Sequence, residues 1–194
     1  MHNAPMDIAT IRGRLEFLRQ AEALKSVLRS GYTATGRRES TAEHSWRLCL
    51  MALAFEDALA PLDMLRVLKL CVLHDLGEAI HGDVPAVEQD QRPDKSAQER
   101  VDLWAVTEPL DEPLRSELRG LWEEYETASS PEALAVKALD KLETLLQHTQ
   151  GQNPPDFDYR FNLDYGRKYT GTAPLFAAIR QLLDQETLAR AEGR

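Results

Sequence analysis

Apolar residues recur every three or four positions along most of the 194-residue chain, which is the spacing of helices with one buried face. No stretch shows the alternation of polar and apolar residues that predicts a strand, and no internal repeat appears. We therefore expect an all-α fold of about seven helices. The predicted helices begin near Asp7, Ser40, Asp63, Ser96, Asp111, Ser130 and Thr172.

Two of these starts carry clear capping signals. Asp7 can cap the first helix, which we expect to run to about Leu28 and to be broken by Gly31. Ser40 and Glu43 match a capping box, in which each side chain accepts a hydrogen bond from the backbone of the other residue. The second helix should therefore begin at a well-defined position.

The densest apolar run, Leu65 to Leu73, is followed at once by charged residues. It is too apolar for a surface helix and predicts a buried one, which Gly82 should end. His74, Asp75 and Glu78 lie near the end of this helix, at spacings that place them on one side of it. Buried charges are normally paired or bound to a metal, because an unpaired carboxylate in an apolar interior is costly. The pattern therefore predicts a metal site.

Two more residues are candidates for that site. His44 lies on the apolar stripe of the second helix with Leu48, and Asp140 interrupts the apolar side of the long sixth helix. Alone, such a histidine is usually a satisfied core residue, and a mid-helix aspartate only requires a partner. Combined with the His-Asp doublet, they give two imidazoles and two carboxylates, which suit a divalent ion such as Mn, Fe, Co or Zn. His81 lies beside the helix end, and we expect it to be partly exposed and not a ligand.

Composition and charge narrow the class of protein. Apolar residues make up 43% and charged residues 28% of the chain, which indicates one globular domain over 1–194. The metal-binding core should cover about 14–147, followed by a linker and helix at 151–190. The net charge of −9 argues against binding a nucleic acid polymer, although a divalent ion and local arginines still allow a small anionic substrate. Neither a signal core nor a membrane span is evident, so we expect a cytoplasmic protein that does not bind a membrane.

Three runs of sequence carry a resemblance to a known family. They are RSGY with ESTAEHSWR, then VLHDLGEAIHGDVP, then LWEEYETASSPEALAVKALDKLE, and they place histidine, histidine-aspartate and aspartate in the order H…HD…D. This arrangement resembles the HD superfamily of metal-dependent phosphohydrolases. Within it, the runs are most similar to the HD-domain 5′-deoxynucleotidases of the HD-domain-containing protein 2 branch, over roughly Arg14 to Gln147.

The resemblance implies an HD-domain helical bundle around one divalent metal ion, which would be Mn, Co, Fe, Zn or Mg. It implies a homodimer that removes the 5′-phosphate from (deoxy)nucleoside monophosphates to give nucleoside and phosphate. Glu78 and Asp83 fall at the positions of the two catalytic acids, and Arg29 falls at that of a phosphate-binding arginine at the end of the first helix. Tyr32 should lie near the sugar, in place of the branch's usual tryptophan, while Ser30 stands where another branch has its tryptophan. The implied metal ligands are His44, His74, Asp75 and Asp140.

The sequence leaves two alternatives open. The protein could be another HD phosphohydrolase, acting on nucleoside triphosphates or other nucleotides. It could also be a non-catalytic, metal-stabilised module that senses a nucleotide. The presence of both Glu78 and Asp83 favours catalysis, because a purely structural metal needs neither.

Overall fold

The computed structural model describes residues 6–85 and 95–193. In these ranges the chain forms eight α-helices and one two-stranded hairpin, so the expected α-helical fold is confirmed. The helices are α1 (Ile8–Ala21), α2 (Thr41–Ala54), α3 (Met64–Leu73), α4 (Lys95–Thr107), α5 (Glu112–Thr127), α6 (Pro131–Gln150), α7 (Arg167–Thr170) and α8 (Pro174–Ala191). The strands are β1 (Leu28–Tyr32) and β2 (Arg38–Ser40), and short 3₁₀ turns cover Glu22–Lys25, Glu56–Leu59, Leu76–Ala79 and Tyr159–Leu163. Within the described ranges, no helix has the length and apolar character needed to cross a membrane.

Helix α6 is the central element of the fold. Ser130 caps it by accepting a hydrogen bond from the amide of Ala133 at 3.0 Å, and Pro131 occupies its first turn. Helices α2, α3, α5 and α8 all pack against it. Fourteen of its twenty residues are buried, and several of these are polar or charged. A central helix with buried charges indicates that the polar side chains have partners inside the fold.

The buried helix α3 ends earlier than the sequence suggested. Asp63 caps it as expected, but α-helical structure stops at Leu73, and a 3₁₀ turn follows, so the predicted helix end at Gly82 is wrong. One cause is Trp122, whose indole Nε1 donates to the carbonyl of His74 at 3.1 Å. That carbonyl is therefore satisfied by a side chain rather than by another helical turn.

The segment after α1 also departs from the expectation. The helix was expected to reach Leu28, with no strand anywhere, but β1 and β2 pair in antiparallel fashion there. The hairpin packs on α6, where a Cβ on Gly31 would lie only 3.2 Å from the side chain of Gln147. The same glutamine donates to the backbone carbonyl of Tyr32 at 2.5 Å. Contacts with a distant helix hold this strand, so the local sequence gave no signal for it.

Helix α1 begins as predicted, because Asp7 accepts a hydrogen bond from the amide of Thr10 at 2.9 Å. Its apolar stripe is nevertheless exposed, and none of its residues is buried. The helix instead turns Gly13 toward the domain, where a Cβ would lie 2.1 Å from the carbonyl oxygen of Pro109. The exposed apolar residues are Ile8, Ile11, Leu15 and Leu18.

Candidate metal centre

The position of His44 is set by the start of α2. The predicted capping box is present, with the Ser40 amide donating to Glu43 at 2.8 Å and the Glu43 amide donating to Ser40 at 3.3 Å. One turn later His44 is fully buried, and its Nδ1 donates to the carboxylate of Glu143 on α6. Arg47 donates from Nε to the other oxygen of that carboxylate at 2.5 Å. Because a carboxylate only accepts, the proton lies on Nδ1 and the His44 Nε2 lone pair faces away.

His74 is fixed in the same way at the end of α3. Its Nδ1 donates to the carbonyl oxygen of Cys71 at 2.9 Å, so its Nε2 also carries a free lone pair. Among the described residues, neither Nε2 atom has a hydrogen-bond partner, although both are buried. Asp75 Oδ2 lies 3.1 Å from Nε2 of His74 and 3.8 Å from Nε2 of His44. Asp140 Oδ1 lies 3.3 Å from Nε2 of His44.

This geometry fits a divalent ion. One ligand atom each of His44, His74 and Asp75 lie within 4.8 Å of one another, and Asp140 Oδ1 approaches His44 Nε2 at 3.3 Å. An imidazole nitrogen faces a carboxylate stably only when a cation or a proton lies between them. Burial and Arg29 oppose a charge on His44, but Glu143 and Asp140 still raise its pKa to about 10, so a proton occupies Nε2 when no ion is bound there. The partner groups on Nδ1 also set the ring orientation, as is usual around histidine ligands. The structure thus brings the four predicted ligands together.

Asp140 is held from the side that faces away from the histidines. Its Oδ2 accepts from the Tyr125 hydroxyl at 2.8 Å and from Lys141 Nζ at 2.9 Å. Burial would raise its pKa, but Lys141 and His44 outweigh burial and hold that pKa well below its ordinary value. The carboxylate therefore stays ionised in the interior.

The two predicted catalytic acids lie at the same site. Glu78 is 2% exposed in the 3₁₀ turn after α3, and Asp83 lines the same cavity. Glu78 accepts a hydrogen bond from the Thr41 hydroxyl at 3.2 Å, and Lys95 Nζ lies 3.5 Å from its other oxygen. Burial, then the nearby charges of Asp75 and Asp83, raise the pKa of Glu78 well above its ordinary value. The structure thus places a carboxylate of high proton affinity beside the proposed ligands.

Arg29 also reaches the site, but from strand β1 and not from the end of the first helix, so that part of the expectation is wrong. Its guanidinium donates to Asp75 Oδ2 at 3.1 Å and to the Thr144 hydroxyl at 3.2 Å. Its Nε lies 3.7 Å from Glu39. Tyr32, which was expected near the sugar, is not among the residues that line the described cavity, whereas Ser30 is.

The cavity above the centre has a volume of about 410 Å³, which is in the range of small-molecule sites. Much of its wall was not singled out from the sequence. Lys137 and Asp140 are three residues apart on α6, which is the one local signal that they share a face. The other lining residues come from segments whose contacts the sequence does not show. The lining residues missed are Lys95, Ser96, Glu99, Tyr125, Glu126, Lys137, Lys141, Thr144, His148, Tyr165 and Tyr169.

A buried arginine helps to attach the tyrosine-bearing part of that wall to α8. Arg180 donates to the carbonyl oxygens of Asn162, Leu163 and Tyr165 at 2.6–2.7 Å, and to the Thr170 hydroxyl at 3.3 Å. Because the residue is only 4% exposed, its charge needs a partner inside the fold, and Asp184 provides one by accepting from Nε at 2.6 Å. The bonds to the carbonyls and to Thr170 fix the 3₁₀ turn Tyr159–Leu163 and α7 against the rest of the domain, with Tyr165 between the two elements and Tyr169 on α7.

His81 is 62% exposed and donates from Nδ1 to Asp102 at 2.7 Å, as expected of a residue outside the ligand set. A run of glutamates on a helix is usually a solvated face, but two of the α5 glutamates are not solvated. Glu124 is buried against Arg66, and Glu126 lines the cavity.

Comparisons with known proteins identify the family of this chain. The HD domain family matches residues 21–180. The 5′-deoxynucleotidase HDDC2 of Homo sapiens is 39% identical over 141 residues, covering 72% of this chain and 68% of the relative. The Danio rerio protein of the same name is 39% identical over 135 residues, covering 69% of this chain and 66% of the relative. The chain thus spans about two thirds of the length of these curated relatives.

A solved structure shows that the similarity extends through the fold. The crystal structure of a predicted metal-dependent phosphohydrolase from Magnetospirillum magnetotacticum MS-1 superposes with a TM-score of 0.84. It is 25% identical and covers 96% of this chain and 97% of its own. Family match, relatives and fold agree with the H…HD…D arrangement, and on these grounds the chain belongs to the HD-domain family.

Proposed function

We propose that this protein is a phosphohydrolase that uses a divalent ion to remove the 5′-phosphate from (deoxy)nucleoside monophosphates. The observation that carries the proposal is the pair of buried Nε2 lone pairs, on His44 and His74, that face Asp75 and Asp140 beside a charged cavity. The substrate class comes from the relatives, whose name is 5′-deoxynucleotidase.

His44, His74, Asp75 and Asp140 would hold the ion. When bound, a divalent ion lowers the pKa of a coordinated water and polarises a phosphoryl oxygen. The hydrogen bonds to Glu143 and Cys71 keep both imidazoles in the tautomer that presents Nε2 to the ion. These residues suit Mn, Co, Fe, Zn and Mg to different degrees, and the donor set alone does not select one.

Glu78 is the residue that we propose to orient the attacking water and take its proton. Thr41 and Lys95 hold its carboxylate in place, so it needs no rearrangement to act. Asp83 lines the same cavity, and we propose that it delivers a proton to the departing ribose oxygen. Arg29 supports the phosphate with a buried positive charge and with the guanidinium N–H groups not used by Asp75 and Thr144.

The decisive test is phosphate release from a panel of nucleotides. The protein is freed of metal by chelation and reloaded separately with Mn, Co, Fe, Zn or Mg. We expect phosphate from deoxynucleoside monophosphates, with activity restored by at least one metal. Turnover of triphosphates alone would replace this proposal with another HD phosphohydrolase activity. Nucleotide binding without turnover under every metal would indicate a sensing module.

We also propose that the protein is a homodimer, as the resemblance implies. The exposed stripe of α1 supports this proposal, because its apolar residues are spaced three and four apart, like those of a packed helix pair. In analytical ultracentrifugation, Leu18→Glu should shift a dimer toward monomer, since the variant puts a charge on that stripe. A monomeric parent protein would rule the dimer out. The cytoplasmic location stays a prediction.

A further inference from the structure

Four cations line the described part of the cavity, and three of them are already committed to carboxylates. Arg29 bonds to Asp75 at 3.1 Å. Lys95 lies 2.6 Å from Glu99, and Lys141 lies 2.9 Å from Asp140. These contacts neutralise acidic groups of the site and leave few donors for an incoming anion.

Lys137 differs from the other three. It is 9% exposed, yet within the described ranges its ammonium group makes no hydrogen bond. Its nearest carboxylate oxygen, on Glu126, is 3.7 Å from Nζ. Two aromatic rings also lie close to it, with Nζ 3.9 Å from the centre of the Tyr125 ring and 5.7 Å from that of Tyr169. Aromatic faces stabilise the charge but accept no strong hydrogen bond, so all three N–H donors stay available.

The ammonium group of Lys137 lies near the proposed metal centre. Lys137 lies one helical turn before Asp140 on α6, and both side chains line the cavity. Tyr125 contacts both residues, since its hydroxyl bonds to Asp140 while its ring lies beside Lys137. The ammonium is therefore next to the point where the reacting phosphate must lie if the four ligands hold an ion.

We propose that Lys137 is a substrate-binding residue that donates to the phosphate of the nucleotide, on the α6 side of the cavity. The inference rests on the proposed function, because it concerns the substrate of the same site. A buried ammonium with unused donors is costly unless an anion meets it in the working state. The cavity wall carries six carboxylates and four cations, so a divalent ion only balances the charge. Beside Arg29, a phosphate then needs a cation that no carboxylate holds by a hydrogen bond, and Lys137 is such a cation.

The test is calorimetric titration of the metal-loaded protein with inorganic phosphate, together with kinetics on a deoxynucleoside monophosphate. In Lys137→Met we expect phosphate affinity to fall and KM to rise by about tenfold to a hundredfold, the usual cost of a lost charged hydrogen bond. Lys137→Arg should recover part of that loss. Metal content, by elemental analysis, and affinity for the uncharged nucleoside should stay at the parent values, because neither depends on the ammonium.

Lys168→Met is the matched control. Lys168 also approaches the Tyr169 ring, with Nζ 5.3 Å from its centre, but it is exposed and does not line the cavity. The control should bind phosphate like the parent. If Lys137→Met also binds phosphate and nucleotide like the parent, the proposal is overturned. If no nucleotide is hydrolysed at all, the proposed function fails, while phosphate titration still decides the role of Lys137.

Glu126→Gln separates substrate binding from a structural ion pair, and it decides the matter even if Lys137→Met does not fold. The change removes a negative charge near Lys137 and keeps the shape of the side chain. If Lys137 binds phosphate, the variant should bind phosphate more tightly than the parent, because a competing carboxylate is gone. Unchanged or weaker phosphate binding, in a variant with parental thermal stability, would contradict the proposal.

Discussion

Helices α1 and α6 differ in which of their side chains are buried. Helix α6 buries an aspartate, a glutamate, a lysine and a histidine, while α1 leaves four large apolar side chains exposed. Both helices show a regular apolar period in the sequence. The difference lies in their surroundings, because α6 is packed on several sides and α1 contacts the domain mainly through its opposite face.

This contrast shows what an apolar period does and does not establish. It establishes that a helix has a face able to pack, but not that the face packs within the same chain. Conversely, the buried charges of α6 are tolerated because each meets a partner, the proposed metal site or the proposed substrate site. Buried charges and exposed apolar residues therefore indicate the proposed functional parts of this molecule, which are the metal centre on α6 and the partner surface on α1.

The largest effect should come from removing a buried charge of α6 at the metal centre. Asp140→Ala deletes a proposed ligand, so bound metal should be lost and turnover should fall by about 10³-fold or more, since metal catalysis supplies several kcal/mol. Elemental analysis and phosphate release measure the two effects. The control Asp57→Ala changes an exposed aspartate and should alter neither metal content nor turnover. An Asp140→Ala protein with parental metal content would show that Asp140 is not a ligand.

The same leucine-to-alanine change should destabilise the protein far more on α6 than on α1. Leu139 on α6 is fully buried, whereas Leu18 on α1 is 59% exposed. Leu139→Ala should lower the free energy of unfolding by about 2–5 kcal/mol, and Leu18→Ala by about 0.5 kcal/mol or less in the monomer. Denaturant titrations at several protein concentrations measure both. If the loss of stability in Leu18→Ala grows with protein concentration, the dimer is supported. If both substitutions destabilise the monomer equally, the contrast between α1 and α6 is wrong.

Stability should also depend on pH through His148 on the buried face of α6. Its Nδ1 donates to Asn162 at 2.9 Å, and burial lowers its pKa to about 4 from an ordinary 6.5. The unfolded chain therefore binds a proton that the folded protein excludes. The contribution of neutral His148 to the free energy of unfolding is full above pH 6.5 and is lost as pH falls toward 4. The loss should reach about 2–3 kcal/mol. Denaturant titrations of the parent and of His148→Gln across this pH range isolate the effect of His148. If the free energy of unfolding changes with pH equally in both proteins, the prediction is wrong.

A smaller effect should follow from Glu143→Gln, which keeps the shape of a buried α6 residue but removes its charge. Glu143 orients His44 and bonds to Arg47, so the variant should bind metal about tenfold to a hundredfold more weakly. Competition with a chelator gives the affinity. Glu22→Gln makes the same change at an exposed position and serves as the control. Parental affinity in Glu143→Gln would mean that His44 needs no partner for its orientation.

Local sequence predicted the helical fold and the residues that meet at the centre because both leave local signals. The capping box before α2, the apolar run of α3 and the aspartate within α6 are each visible over a few residues, and the structure places His44, His74 and Asp140 as their order suggested. Their role as ligands stays a prediction, although the orientation of both imidazoles supports it.

What the sequence did not show depends on contacts between distant segments. Strand β1 is held by Gln147, the end of α3 by Trp122, and the cavity wall includes Tyr165 from a region that looked like a linker. Composition was equally uninformative about Lys137, because a lysine within a helix is usually solvated. Only the fold shows that this lysine is enclosed.

The attachment of the tyrosine-bearing wall through Arg180 has a consequence for how such an enzyme diversifies. The four proposed ligand positions lie on α2, α6 and the end of α3, whereas Arg180 lies on α8 and bonds mainly to backbone carbonyls. Backbone bonds do not depend on the identity of the side chains that the wall presents. Substitutions at Tyr165 and Tyr169 can therefore accumulate on a fixed frame, so that selection on substrate preference proceeds without altering the hydrolytic centre.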